Sequence, residues 1–339
     1  MLLTLQGCTG PDVDPSATAT GDLAQQSYET FGSIERIDAR LDDLIPQDAA
    51  LERLSEGFEW SEGPVWVPRG GYLLFSDIPQ NSIFKWQEGQ GISLYMKPSG
   101  YTGASGRGGE PGTNGLTLDS QGRLVMCEHG DRRVSREESP GEKVTLADNY
   151  QGKRFNSPND LCFKSNGDLY FTDPPYGLEK GMEDPAKDLE FQGVYRLSPE
   201  GEPALLTDEL TRPNGIAFSP DEQILYVANS DPERAIWMAY DVQDDGSIAN
   251  GRVFFDVTQR VGQEKGLPDG LKVDQHGNLF ATGPGGVLIF APDGTHLGTI
   301  RTGEATANCA WGDDGSSLYI TADMYLARVK TGTRGAGWE

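Results

Sequence analysis

The chain has 339 residues, of which 28 are Lys or Arg and 52 are Asp or Glu, so its formal net charge is -24 at pH 7. A surface this acidic repels phosphate backbones, which excludes nucleic acid as an expected partner. No stretch approaches the roughly 18–20 consecutive apolar residues that a membrane span needs, so no transmembrane span is expected.

The N-terminal segment, residues 1–33, predicts a tether rather than a folded unit. Leu5 to Cys8 read Leu-Gln-Gly-Cys, which resembles a bacterial lipobox, and residues 9–30 have the composition of a disordered linker. Neither a basic stretch nor a long apolar run, the usual parts of a signal peptide, precedes Cys8. We expect a lipoprotein signal remnant, a lipid anchor at Cys8, and a bacterial periplasmic or membrane-anchored protein. A cytoplasmic protein is the alternative.

Two elements are predicted between this linker and the main part of the chain. The segment from residue 34 to residue 45 predicts a short amphipathic helix, because its apolar residues recur at helical spacing: Ile34, Ile37, Leu41, Leu44 and Ile45. Leu51 to Leu54 predict a strand. We expect that strand to close the fold by pairing with the last repeat.

One pattern then recurs six times, at starts roughly fifty residues apart. A polar residue and a small or turn residue lead into a strand, and a second strand follows a Gly- or Asp-containing turn, as at Leu161–Phe163 and Leu169–Phe171. A period of this length with several short strands is typical of a β-propeller. The sequence therefore predicts an all-β, six-bladed propeller in a single domain, residues 34–330, followed by a C-terminal tail, residues 331–339.

The polar residues that start the repeats predict a metal site. In a radial repeat, equivalent positions converge on one axis. The six are Glu62, Asn114, Asn159, Asn214, Asp269 and Asn308. Oxygen ligands without Cys or His select hard cations, and two carboxylates would neutralise a divalent ion. Calcium is the expected metal, with Mg2+, Zn2+ and Mn2+ as alternatives.

Histidines and two long insertions supply further candidates. His129 follows the second strand of the second repeat and is either a proton-transfer or substrate-binding residue or a hydrogen-bonded wall residue. His276, in a turn, and His296, in a strand, are expected to be structural. Residues 98–112 and 174–192 are either lids over a site or mobile surface loops with no role. Three cysteines, in or beside strands, are expected to be buried apolar residues: Cys127, Cys162 and Cys309.

Several segments together resemble the gluconolactonase/regucalcin (senescence-marker-protein-like) family, to whose superfamily the diisopropyl-fluorophosphatase type also belongs. They are Ser61–Trp66, Asn156–Asp160, Phe171–Gly177, Arg212–Gly215 and Pro268–Asp274. The resemblance implies a calcium-dependent six-bladed propeller that opens sugar lactones. It implies metal ligands at Glu62, Asn159, Asn214 and Asp269, and a substrate-binding role for Asn114. Gly112 stands where animal relatives have a substrate-binding arginine.

The expected function is a metal-dependent hydrolase that opens sugar lactones, with the metal polarising the lactone carbonyl. Asp269 and His129 are the catalytic candidates, and Asn114, Glu128 and Tyr176 are the substrate-binding candidates. The base is left open between Asp269, another carboxylate of the ring, a metal-bound hydroxide and His129. One alternative function is a phosphotriesterase-like hydrolase that uses the same site. Another is a non-catalytic calcium-binding propeller that binds a partner or a glycan.

Overall fold

The computed structural model describes residues 27–199 and 201–338. In these residues the strands form six antiparallel sheets of four or five strands each, together with one two-stranded ribbon. The innermost strands of the six sheets contact one another in sequence, and the last contacts the first, so they form a closed ring. This arrangement is a six-bladed β-propeller and confirms the predicted fold class.

The elements follow one another along the chain in blade order. The N-terminal segment contains β1 (Glu29–Phe31), β2 (Ser33–Arg36), the helix α1 (Leu41–Leu44) and β3 (Leu51–Glu56). Blade 1 consists of β4 (Ser61–Val67), β5 (Tyr72–Asp77), β6 (Ser82–Gln87) and β7 (Gly91–Met96). Blade 2 consists of β8 (Thr113–Leu118), β9 (Leu124–Glu128), β10 (Arg133–Ser139) and β11 (Glu142–Ala147).

The next two blades are separated from blade 2 by the ribbon. The ribbon is formed by β12 (Asn149–Tyr150) and β13 (Lys153–Arg154). Blade 3 consists of β14 (Leu161–Phe163), β15 (Leu169–Asp173), β16 (Gly193–Leu197) and β17 (Ala204–Thr207), with a 3-10 helix at Gly181–Glu183. Blade 4 consists of β18 (Pro213–Phe218), β19 (Ile224–Asp231), β20 (Arg234–Val242) and β21 (Ile248–Asp256).

The last two blades incorporate strands from the N-terminal segment. A 3-10 helix at Thr258–Arg260 leads to blade 5, which consists of β22 (Leu271–Val273), β23 (Leu279–Gly283), β24 (Gly286–Phe290), β25 (His296–Arg301) and β2. Blade 6 consists of β26 (Thr306–Gly312), β27 (Ser317–Ala322), β28 (Tyr325–Lys330), β3 and β1. The pairing of β3 with β28 joins the N-terminal segment to the last repeat and confirms the predicted closure.

The helix predicted from residue 34 to residue 45 is wrong for most of its length. The chain instead forms β2, which pairs with β25 at the outer edge of blade 5, and only the four residues of α1 are helical. The free edge of β25 offers backbone hydrogen-bond partners that a short isolated helix cannot match. Leu41 and Ile45 are fully buried as expected, whereas Ile37 is 55% exposed.

Apolar side chains fill the space between neighbouring blades. Six buried clusters are present in the described residues, each shared between two adjacent blades. Between blades 2 and 3, Cys127 packs with Phe171 and Tyr195, whose rings stack with centroids 5.3 Å apart. Burying one such side chain stabilises the fold by about 1.5–3 kcal/mol. Cys127 and Cys309 are fully buried, as predicted, while Cys162 is partly buried.

The structure describes most of the C-terminal tail but only the last part of the N-terminal segment. Cys8 and most of the predicted linker lie outside the described residues, so the lipid anchor stays a prediction. The strands begin at Glu29, before the boundary predicted at residue 34. In the predicted tail, Thr333 donates a hydrogen bond to Asp274 at 2.9 Å and Trp338 packs against the cores of blades 1, 5 and 6. Among the residues described, no helix has the length and apolar composition needed to cross a membrane.

Candidate active site

A cavity of about 440 Å3 lies at the propeller axis. Six of the residues singled out in the sequence line it: Glu62, Asn114, Asn159, Tyr176, Asn214 and Asp269. Five of them are repeat-start residues from blades 1 to 5, so the repeat pattern identified one polar wall residue from each of these blades. The three remaining candidates, Glu128, His129 and Asn308, do not line the cavity.

Glycines let the inner strands approach closely enough to bring these side chains together. Gly63 and Gly215 each follow a repeat-start residue, and neither has room for a side chain. A Cβ atom on Gly63 would lie 2.0 Å from the carbonyl oxygen of Asn114, and one on Gly215 would lie 2.2 Å from that of Asp269. The Glu62-Gly63 and Asn214-Gly215 pairs therefore serve the close contact of blades around the axis rather than hairpin turns.

Four buried side-chain oxygens around this cavity have no hydrogen-bond partner in the described part of the chain. They are the Oδ1 atoms of Asn114, Asn159, Asn214 and Asp269. The amide of Asn214 is held by its other end, because Nδ2 donates to Ser230 Oγ at 2.9 Å. Buried polar atoms are rarely left unpaired, and oxygens of this kind are the ligands that a hard cation prefers. The residues present thus fit a bound cation.

The carboxylates among them are electrostatically strained. Burial, followed by the charge of Asp160, raises the pKa of Glu62 to about 8. Burial, followed by the charge of Glu62, raises the pKa of Asp269 well above its ordinary value. The pKa of Asp160 itself is raised by burial and partly lowered by Lys272. Like charges in a buried site resist ionising together, and a bound cation reverses that penalty.

The proposed ligand set differs from a metal site built mainly of His, Cys, Asp and Glu side chains. Among residues 27–199 and 201–338, no group of three or more His, Cys, Asp or Glu residues is arranged to hold a metal ion. The axial set combines the carboxylates of Glu62 and Asp269 with asparagine amides. Any cation held there would therefore depend on neutral amide oxygens as well as on charge.

Asn308, the repeat-start residue of blade 6, supports the ring instead of facing the cavity. Its Nδ2 lies 3.2 Å from Glu62 Oε2 and 3.4 Å from Asp160 Oδ2. Its Oδ1 accepts a hydrogen bond from the backbone nitrogen of Cys309 at 2.8 Å. These contacts orient the Glu62 carboxylate.

His129 is fully buried behind the cavity wall. Its Nδ1 lies 3.2 Å from Oε2 of Glu110, a cavity-lining residue that the sequence analysis did not single out. Nothing in the described part of the chain makes a well-directed hydrogen bond to Nδ1 or Nε2, so Glu110 Oε2 is a close polar neighbour of Nδ1 rather than its hydrogen-bond partner. His129 therefore reaches the cavity only through Glu110.

Glu128, a candidate substrate-binding residue, is committed to the interior of blade 2. Its fully buried carboxylate lies 2.9 Å from Arg133 and 2.9 Å from Lys143, and it accepts a hydrogen bond from Ser135. Consecutive strand residues point to opposite faces of a sheet, which explains why Glu128 and His129 have separate surroundings. A role for Glu128 in substrate binding has no support in this geometry.

A second tier of cavity residues was missed by sequence reasoning. Trp60, Arg212, Leu267 and Thr306 each lie two positions before a repeat-start residue, and all four line the cavity. In extended chain, residues at i and i−2 face the same side. The repeats therefore contained a signal for this tier. Arg212 also introduces a cation from blade 4, whereas Gly112 occupies the corresponding position in blade 2.

Both predicted lid segments contact the site region, and Arg107 joins them. Its guanidinium donates to the backbone oxygen of Gly130 at 3.1 Å and to that of Gly177, and it lies 3.8 Å from Glu179. Tyr176, from the second segment, lines the cavity, and burial raises the pKa of its hydroxyl. Residues 98–112 and 174–192 thus form one connected wall beside the axis.

A closed six-bladed propeller whose axial cavity is lined in part by carboxylates and amides is the class of protein that these observations define. Within that class, the model of the SMP-30/Gluconolactonase/LRE-like region matches residues 60–323, and the chain belongs to this family. A gluconolactonase from Zymomonas mobilis is 40% identical over 331 residues, which cover 94% of this chain and 93% of that protein.

Solved structures agree with this assignment. A gluconolactonase from Xanthomonas campestris superposes with a TM-score of 0.77 at 33% identity, covering 90% of this chain and 96% of that one. A calcium-binding regucalcin from Agrobacterium tumefaciens superposes with a TM-score of 0.66, covering 84% of this chain and 94% of that one. Its identity is 19%, so this likeness shows the fold alone.

Proposed function

We propose that the chain is a metal-dependent hydrolase that opens sugar lactones and that the axial cavity is its active site. The observation that carries the proposal is the set of unpartnered oxygens on Asn114, Asn159, Asn214 and Asp269 around a cavity that also holds Glu62. The similarity to the gluconolactonases of Zymomonas mobilis and Xanthomonas campestris supports the choice of reaction.

Glu62, Asn159, Asn214 and Asp269 would hold the metal. Calcium suits a set that mixes two carboxylates with neutral amide oxygens and leaves room for further ligands, and Mg2+, Mn2+ and Zn2+ are the alternatives. Bound there, the cation would supply a positive charge against the lactone carbonyl oxygen. Asn308 would keep Glu62 in position through its contact at 3.2 Å.

The remaining cavity residues would bind and orient the sugar. The volume of about 440 Å3 lies within the range of small-molecule sites. Asn114 and Tyr176 offer hydrogen-bonding groups, and Arg212 offers a cation for hydroxyl or carbonyl oxygens. Trp60 provides an aromatic wall for the apolar face of a sugar ring. The lid segments joined by Arg107 would limit the access of water.

Two other functions make different predictions for the same cavity. A phosphotriesterase-like hydrolase would use the same oxygens with a phosphorus electrophile. A non-catalytic propeller would bind calcium and a partner or glycan without turnover. The unpartnered Asn114 Oδ1 and the cation of Arg212 above the ring favour a polyhydroxylated substrate over an apolar phosphotriester.

The test is a substrate comparison with purified protein. We expect hydrolysis of D-glucono-1,5-lactone well above its spontaneous rate, loss of that rate after treatment with a chelator, and recovery when a divalent metal is restored. Faster hydrolysis of a fluorophosphate triester than of the lactone would favour the phosphotriesterase. No turnover of either substrate with metal bound would favour the non-catalytic propeller.

A further inference from the structure

Among the described residues, four carboxylates line the axial cavity, and three of them already have a place in the metal set or an ion pair with an arginine. Glu62 and Asp269 belong to the metal set, and Glu264 lies 2.9 Å from Arg301. The fourth is Glu110, from the segment 98–112. Its ionisable side-chain neighbour is His129, at 3.2 Å, and no Arg or Lys ion pair to Glu110 is found among the described residues.

We propose that Glu110 accepts the proton of the attacking water in lactone hydrolysis and that His129 is the positioning residue that holds its carboxylate. This inference rests on the proposed function. Glu110 has 36% of its side chain exposed, so it is open to a substrate, whereas His129 is fully buried. Glu110 shares the lining of the cavity with Asp269 and Tyr176.

The surroundings of His129 fix it in place. Its backbone nitrogen donates to Gly112 O at 3.1 Å. A Cβ atom on Gly177 would approach the Cβ atom of His129 to 2.5 Å, so the second lid segment packs directly against it. Its contact at 3.2 Å with Glu110 is the polar side-chain contact of the imidazole within the described residues. An imidazole held this way can orient one carboxylate oxygen and leave the other free.

Glu110 suits proton transfer better than the ring carboxylates do. A carboxylate that coordinates a cation loses basicity, which weakens Asp269 as a base. Glu110 is outside the proposed ligand set. Its carboxylate takes a proton from water while the water oxygen bonds to the lactone carbonyl carbon. The bond between that carbon and the ring oxygen then breaks, and Glu110 returns the proton to the ring oxygen. The product is the hydroxy acid, and Glu110 is again a carboxylate.

The test compares kcat and KM for D-glucono-1,5-lactone at saturating metal in Glu110→Gln, His129→Gln and the double variant. Glu110→Gln should lower kcat about 100-fold or more, the usual contribution of a positioned base, with little change in KM or in bound metal. His129→Gln should lower kcat less. The double variant should be no slower than Glu110→Gln, because His129 acts through Glu110. Glu142→Gln, which removes an exposed carboxylate from β11, the outermost strand of blade 2, is the matched control and should keep the wild-type rate.

The possible outcomes separate this inference from the proposed function. If the wild-type protein does not hydrolyse the lactone, both are overturned. If the wild-type protein is active and Glu110→Gln keeps its kcat, or loses only affinity, this inference alone is overturned. Additive losses in the double variant would make His129 a structural residue and overturn its positioning role. Should Glu110→Gln melt at a lower temperature, Glu110→Ala with added formate provides the second measurement, and partial recovery of rate is expected.

Discussion

Buried side-chain oxygen atoms without hydrogen-bond partners are the strongest indication of a ligand at the axial site. Asn214 is the clearest case, because its Nδ2 is bonded to Ser230 while its buried Oδ1 has no partner in the described part of the chain. An unsatisfied buried acceptor costs about 1–3 kcal/mol. A fold retains such an atom at low cost only if a ligand satisfies it. The same reasoning applies to Asn159, whose Oδ1 is also unpartnered.

Replacing Asn214 with Leu should abolish metal retention and leave the propeller folded. Leu is similar in size and removes one proposed ligand oxygen without adding a charge. The measurement is metal content per chain after dialysis, with far-ultraviolet circular dichroism as the check on folding. Asn166→Leu, at an exposed hairpin turn, is the matched control and should retain the metal. Metal bound one per chain in Asn214→Leu would remove this residue from the ligand set.

His296 should make folding stability depend on pH. Burial, followed by the charge of Arg260, lowers its pKa below the ordinary value of 6.5. The unfolded chain therefore binds the proton more readily than the folded one, so stability is full above about pH 6.5 and falls as the pH decreases below it. Between pH 7.5 and 5.5, the free energy of unfolding should fall less in His296→Gln than in the wild type. Equal losses in both proteins would contradict this. His276→Gln, at an exposed turn, is the control.

The two lid segments are each fixed by a few side chains, and Arg107 contacts both of them. Asn81 accepts hydrogen bonds at Oδ1 from the backbone nitrogens of Gly100 and Tyr101, at 2.8 and 3.1 Å. Ser157 donates to Pro174 O at 2.6 Å and accepts from Gly177 N at 2.8 Å. Each segment is therefore fixed at its base, and Arg107 connects them further out.

Arg107→Ala should loosen both segments together. The hydrogen bonds from Arg107 to backbone oxygens of Gly130 and Gly177 involve a charged donor, so their loss should favour opening by about 1–3 kcal/mol. Hydrogen exchange monitored by mass spectrometry should speed up in residues 98–112 and 174–192 and stay unchanged in the blades. KM for the lactone should rise. Arg252→Ala, which removes an exposed ion pair with Asp241, is the control. Faster exchange in only one of the two segments would show that they are independent.

The N-terminal segment shows where reading elements from sequence fails. The apolar residues from Ile34 to Ile45 have helical spacing, but they belong to two different elements, the strand β2 and the short helix α1. Residues of β2 are extended because they pair with β25 at the edge of blade 5. That strand lies more than 250 residues further along the chain, so a local sequence pattern contains no information about the pairing. Hairpins such as β14–β15 were predictable because their turn, at Gly167 with φ 92°, and their strands lie within one short stretch.

For the whole molecule, the features that could be predicted from sequence are those that recur in every repeat. The fold and five of the cavity residues came from one recurring position, because radial symmetry converts equivalent positions in sequence into neighbours in space. The second tier, which contains Trp60 and Arg212, could have been predicted from the same repeat, because its residues lie two positions before the repeat-start residues. Glu110 could not have been predicted in this way, because its segment has no counterpart in the other blades. Its contact with His129 is a tertiary contact that no repeat position indicates.

We propose that the axial ring holds a metal on which lactone opening depends. It is tested most directly by titrating chelator-treated protein with Ca2+ while measuring, in the same samples, bound metal per chain and the initial rate of D-glucono-1,5-lactone hydrolysis. We expect a rate that rises in proportion to bound metal and levels off at one ion per chain, and we expect Asn159→Leu to show neither the binding nor the rise in rate. A metal-free protein that hydrolyses the lactone at the full rate would contradict it.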